Sequence, residues 1–216
     1  MEQSINNKFN KFENKHLFVG LSLASAATTE TGVAILDRDL NVIKLDKLFT
    51  IEDIKFFLDS FVGKQNAIFN IALPENPVML NAKWKLYSRQ YQLVQSSKLI
   101  GKENEWTHRF SHRGSDYFNE CKENGLDIYR FDIKELKSSF GLSGMYKDRS
   151  PVDCKFFQSA LKFKFKIPDL PSNMLPVAQL EAILGAYLGY IMYNSQDWQY
   201  KIKSEYNGIE VIGLDI

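Results

Sequence analysis

The side chains best suited to chemistry in this sequence fall in three places. Glu181 is the one acid in the long apolar stretch from Val177 to Tyr193. A carboxylate in that setting can serve metal-dependent chemistry, or it can be neutralised by an ion pair, with Arg130 or Lys147 as partners. The run Trp106-Thr107-His108-Arg109-Phe110-Ser111-His112-Arg113 interleaves aromatic rings with cations, the combination that stacks bases and holds phosphates. It equally describes a solvated loop. Across and just past it, the spacing of His108, His112 and Asp116 would bring three metal ligands to one helix face, although Gly114 argues against a regular helix there. Tyr146-Lys147-Asp148-Arg149 is a basic loop before a helix, a common arrangement taken by itself. The sequence contains no P-loop, no dinucleotide-binding glycine fingerprint and no Gly-x-Ser-x-Gly elbow, so those nucleotide and hydrolase chemistries have no footing.

The scaffold that must position these groups is bounded by composition. The chain has 216 residues, 44% hydrophobic and 25% charged, which suits one soluble domain with a substantial core. Its 27 basic and 26 acidic residues leave a formal charge of +1, so no global field draws the protein to nucleic acid or a membrane surface. An anionic partner must be met by a local patch. Cys121 and Cys154 form no metal-knuckle or disulfide pattern, and two plain thiols in a reducing, cytoplasmic setting are expected. Residues 1–15 are polar and lack the apolar core of a secretory signal, so a flexible tail is expected there. The stretch Val177 to Tyr193 is too short and too interrupted to cross a bilayer, and no membrane partner is expected. Oligomeric state has no sequence signature.

Leu17 to Leu23 is a nearly continuous apolar run, as expected of a strand covered on both faces. Gly32 to Leu36 and Val42 to Leu45 flank the turn residues Asp37-Arg38-Asp39-Leu40-Asn41, predicting a hairpin. Asp37 and Asp39 are ordinary turn acids in that position. Thr50-Ile51-Glu52-Asp53 is a capping box opening a helix with apolar residues at Ile51, Ile54, Phe57, Leu58 and Phe61, stopped by Gly63. Ala67 to Leu73 predicts a buried strand, parallel to the first because a helix carries the chain across. The pattern then weakens over about 75–124, a poorly readable insertion in which Leu86 to Leu99 could be a helix. Asp127 to Phe131 predicts a strand, and a helix runs from Ile133 to Gly141. A second helix starts at Ser150-Pro151 and runs to about Lys164. Lys162 to Lys166 suggests a helix end or a strand-like edge. Pro168 to Pro176 is a stiff linker, Val177 to Asn194 a helix studded with small residues, and Gly208 to Gly213 a closing strand.

This order resembles the RNase H-like superfamily, an α/β fold whose mixed sheet starts with three antiparallel strands, continues with parallel ones and is flanked by helices. Short motifs make the chain similar to a family of predicted RNase H-like nucleases, the domain of unknown function four-twenty-nine. Gly20-Leu21-Ser22 matches a strand end that carries an aspartate in the family. Gly32-Val33-Ala34-Ile35-Leu36 matches its second strand, and Ala72-Leu73-Pro74 stands opposite Asp-Ala-Pro. Arg130-Phe131-Asp132-Ile133 meets a pattern beginning with glutamate, Tyr146-Lys147 retains a Tyr-Lys pair, and Glu181-Ala182-Ile183-Leu184-Gly185-Ala186-Tyr187 matches a helix beginning Asp-Ala. Gly208-Ile209-Glu210-Val211 resembles the close.

The resemblance implies a metal-dependent nuclease whose carboxylates gather Mg²⁺ or Mn²⁺. Ser22, Ala72 and Arg130 replace the acids, leaving Glu181 as the candidate catalytic residue. The implied function is therefore a non-catalytic descendant that binds nucleic acid or protein. An active phosphodiesterase using Glu181 and a structural or small-molecule module are the alternatives. Ser22, Arg130, Lys147 and Arg149 near the site, with His108, Arg109, His112 and Arg113 in the aromatic loop, are the candidate binding residues.

Overall fold

The structure, a computed structural model, describes residues 14–23, 30–64, 66–72, 118–147, 149–194, 199–206 and 209–215. Its centre is a seven-stranded sheet in the order β3-β2-β1-β4-β5-β7-β6. β1 (Leu17–Ser22), β2 (Thr31–Leu36) and β3 (Val42–Leu48) are antiparallel neighbours, whereas β4 (Ala67–Ala72) runs parallel to β1 and β5 (Asp127–Phe131) parallel to β4. This is the expected RNase H-like mixed sheet. β7 (Ile209–Asp215) continues it parallel to β5, and β6 (Gln199–Tyr206) closes the edge antiparallel to β7. β6 was not anticipated from the sequence.

Side chains alternate across each strand, so the sheet builds two cores. Phe18, Ile68, Ala72, Tyr129 and Phe131 face one side, where α2 (Ile133–Ser139), α3 (Pro151–Phe163) and α4 (Val177–Asn194) pack. Val19, Leu21, Phe69, Ile71 and Ile128 face the other, covered by α1 (Ile51–Asp59) and the helical residues 118–123. Each large apolar side chain buried in this way contributes roughly 1.5–3 kcal/mol. Cys154 belongs to the first core and Cys121 to the second, so the sheet separates the two thiols.

Local chemistry sets the element ends. Thr50 caps α1, with its hydroxyl accepting from Asp53 N while Asp53 accepts from Thr50 N, the reciprocal pair of a capping box. α1 ends at Asp59, one turn before the expected stop; residues 60–64 form turns, and Gly63 takes its positive φ there. Ser150 caps α3 and Pro151 occupies its first turn, where a missing N–H costs nothing. α3 ends at Phe163, and Lys164 turns its ammonium to the Phe140 carbonyl, so Lys162 to Lys166 is a helix end. The linker before α4 is fastened by Gln158 of α3, whose amide donates to Pro171 O and Asn173 O and accepts from Leu175 N. Lys15, expected in the tail, is instead buried and ion-paired with Asp127.

α4 lies unusually close to the sheet. A Cβ at Gly20 would sit 1.8 Å from the Ala182 carbonyl oxygen, and one at Gly32 would sit 2.0 Å from that of Ala178. Only glycine permits that approach. The contact brings the first turns of α4 over the end of β1. Among the described residues no helix is long and apolar enough to cross a membrane.

Candidate functional site

The C-terminal ends of parallel strands are where an open α/β sheet exposes a crevice to ligands. Ser22 ends β1 there, in register with Ala72 at the end of β4. Alternation with Phe18 and Gly20 puts Ser22 on the α4 side. Its hydroxyl donates to Glu181 Oε2 at 2.5 Å, and both residues are buried. A hydroxyl–carboxylate contact of that length is a strong charge-assisted hydrogen bond.

The other oxygen of the same carboxylate is also taken. Arg149 Nη2 donates to Glu181 Oε1 at 3.0 Å, so the acid is held from the sheet side by a hydroxyl and from the solvent side by a guanidinium. The Glu181 side chain is 5% exposed and that of Arg149 41%. The pair therefore seals a buried charge with a half-exposed one, and solvent screening reduces what the arginine contributes.

Arg149 reaches Glu181 from an unusual backbone. Its φ is 62°, in the left-handed region that costs a non-glycine residue about 1 kcal/mol or more. The conformation is fixed at its N–H, which donates to Asp153 Oδ2 at 3.0 Å. The same oxygen accepts from the buried Lys137 ammonium at 3.1 Å, and Asp153 N donates to the capping hydroxyl of Ser150 at 3.2 Å. A continuous polar chain thus runs from Lys137 in α2 through Asp153 in α3, Arg149 in the loop and Glu181 in α4 to Ser22 in β1.

Ser22 and Glu181 come together as the resemblance implies, with Ala72 beside them. Arg130 does not join them. It is wholly buried, but its register with Ile71 and its alternation with Tyr129 and Phe131 put it on the α1 side of the sheet, across from Ser22. The ion-pair partner of Glu181 is Arg149, neither of the two cations expected from the sequence. Lys147 is exposed on the same loop. His108, Arg109, His112 and Arg113 lie outside the described residues, as do Asp116 and the expected helix over Leu86 to Leu99. Asp37 serves the hairpin turn, accepting from the backbone N–H groups of Asp39 and Asn41. Sequence reasoning recognised Asp153 only as a first-turn acid and missed Lys137. An acid three residues after a serine cap is a common helix start, and nothing local signals a second partner from another helix.

The metal centre implied by the resemblance does not fit these residues. It requires several convergent carboxylates. Here Ser22 and Ala72 contribute none, and both oxygens of Glu181 are committed to protein donors. Among the described residues no group of three or more histidine, cysteine, aspartate or glutamate side chains gathers in a way that could hold a metal ion. What the arrangement offers instead is a half-exposed guanidinium held by a buried carboxylate near the C-terminal end of β1. No protein-family model matches this chain, and no curated protein or solved structure matches it.

Proposed function

We propose that this chain is an RNase H-like domain, divergent from the predicted nucleases it resembles, that binds nucleic acid without cleaving it. The observation that carries the reading is the Ser22–Glu181–Arg149 contact. In a metal-dependent nuclease the carboxylates at this position face hard cations. Here the acid faces a hydroxyl and a tethered cation of the protein's own, and a guanidinium beside it would repel Mg²⁺ or Mn²⁺ while favouring phosphate. Binding of an anionic strand at the strand ends follows from the same charge.

The test is a pair of assays on the purified chain with fluorescently labelled RNA and DNA. Binding that weakens steeply as salt rises, with no Mg²⁺- or Mn²⁺-dependent cleavage, supports the reading. Metal-dependent cleavage that Glu181→Gln abolishes would instead make the protein an active phosphodiesterase. Absence of any nucleic-acid binding would leave the scaffold as a structural or small-molecule module.

A further inference from the structure

We infer that Tyr146 and Arg149, just before α3, read single-stranded nucleic acid, Arg149 holding a phosphate and Tyr146 stacking on an unpaired base. This inference rests on the nucleic-acid-binding reading above and names the residues and the strand form.

Arg149 carries five N–H donors in a planar fork, and the bond to Glu181 uses Nη2 alone. The remaining donors belong to a side chain that is 41% exposed, so the fork is anchored at one nitrogen while part of it meets solvent. An arginine fixed in this way gives up less rotamer entropy when it takes a phosphate than a free surface arginine does. Lys147, exposed two residues earlier, and Lys155, exposed on α3, add cations on the same segment. Asp148 opposes them in sequence. The carboxylates of Asp153 and Glu181 are buried and each is balanced by a bonded cation, Lys137 and Arg149, so the exposed Lys147 and Lys155 supply the added positive charge.

Tyr146 supplies the stacking surface. It is 44% exposed, and its ring meets Phe156 of α3 edge to face with centroids 5.7 Å apart. That contact orients the ring while leaving part of it to solvent. Met145, its neighbour in sequence, and Val152 in the first turn of α3 are exposed as well. Tyr146 and Arg149 are three residues apart, at most about 11 Å along an extended chain, so neighbouring nucleotides of one strand can reach both. A duplex hides its base faces in the stack and offers Tyr146 nothing, whereas every unpaired base presents one.

The experiment is fluorescence anisotropy of the full chain with labelled oligouridylate and oligothymidylate, and with a duplex of equal length, across a salt series. Tyr146→Leu is expected to lower single-strand affinity between about fivefold and a hundredfold, the range of one base–aromatic stack. Arg149→Ala is expected to lower it and to reduce the slope of log affinity against log salt by about 0.7, the share of one phosphate contact on a single strand. Duplex binding should be weaker than single-strand binding. Single-strand affinity unchanged in both variants, or a duplex bound as tightly as the strand, overturns the inference while leaving the nucleic-acid reading intact. A chain that binds none of the probes overturns both.

Discussion

Two buried polar side chains lie beneath α4 on the same face of the sheet, and the fold treats them in opposite ways. Glu181 has a donor on each carboxylate oxygen. Asn70, in the middle of β4, is fully buried, and neither atom of its amide finds a hydrogen-bond partner within the described structure. The difference follows from position. The strand ends lie next to a loop that can supply Arg149, whereas the middle of the sheet is roofed by helix backbone whose own groups are bonded within α4. A Cβ at Gly189 would lie 3.0 Å from Asn70 Nδ2, which marks how closely the helix covers the amide. Tyr129, opposite Asn70 in register, has its phenol pushed well above its ordinary range, first by burial and then by the nearby charges of Asp127 and Glu210, so it stays neutral. Of these two groups, the one whose hydrogen bonds the fold completes is at the strand end, beside the last residue of β1.

The largest effect should come from what both groups share, the close seating of α4. Gly20→Ala drives a methyl group into the Ala182 carbonyl, and a loss of more than about 3 kcal/mol in urea unfolding is expected, at or beyond the upper end for overpacking. Ser22→Ala separates the two regions. It removes a charge-assisted hydrogen bond from a buried carboxylate and should cost about 2 kcal/mol. Arg149→Ala should cost about 1 kcal/mol or less, because that partner is half exposed. Asn70→Ala breaks no hydrogen bond and, with the burden of an unsatisfied amide removed, should change stability by less than about 1 kcal/mol. An Asn70→Ala cost as large as that of Ser22→Ala would erase the contrast.

The smallest effect concerns a carboxylate that is bonded but exposed. Hydrogen bonds from the Thr50 hydroxyl, and then from the backbone of Thr50 and Phe49, hold Asp53 below the ordinary aspartate range. A depressed folded-state pKa contributes stability above the unfolded value of about 3.9 and loses it as pH falls through the folded value. Asp53→Asn should therefore lower stability slightly at neutral pH, where this contribution is fully present, and flatten a small part of the acid limb below about pH 4.

The sequence made the sheet legible where periodicity and punctuation agreed. Asp127–Phe131 and Val177–Asn194 are the strand and helix the pattern predicts, and the capping signals at Thr50 and Ser150 open the helices they announce. β6 was passed over although Tyr200, Lys201, Ile202 and Lys203 alternate and Asn207-Gly208 follows, the strongest short hairpin signal. The site was only half legible. Ser22 and Glu181 could be paired because each sits in a recognisable element. Arg149 was among the candidates near the site, but its pairing with Glu181 could not be assigned, because its reach depends on a left-handed backbone held by Asp153 and on a partner from another helix. Arg130 was misjudged for a related reason. Alternation already sets it opposite Tyr129 and Phe131, but which face of β5 looks toward Ser22 depends on the register with β4.

The carboxylate of Glu181 is held by the protein's own donors, Ser22 and Arg149, and the proposed non-cleaving role rests on that contact. The most direct measurement is cleavage of labelled single-stranded RNA and DNA by the purified chain in Mn²⁺, beside its Glu181→Gln variant. Intact substrate is expected with both proteins, at concentrations where the wild-type chain binds it. Mn²⁺-dependent cleavage by the wild type that disappears in Glu181→Gln would contradict that role.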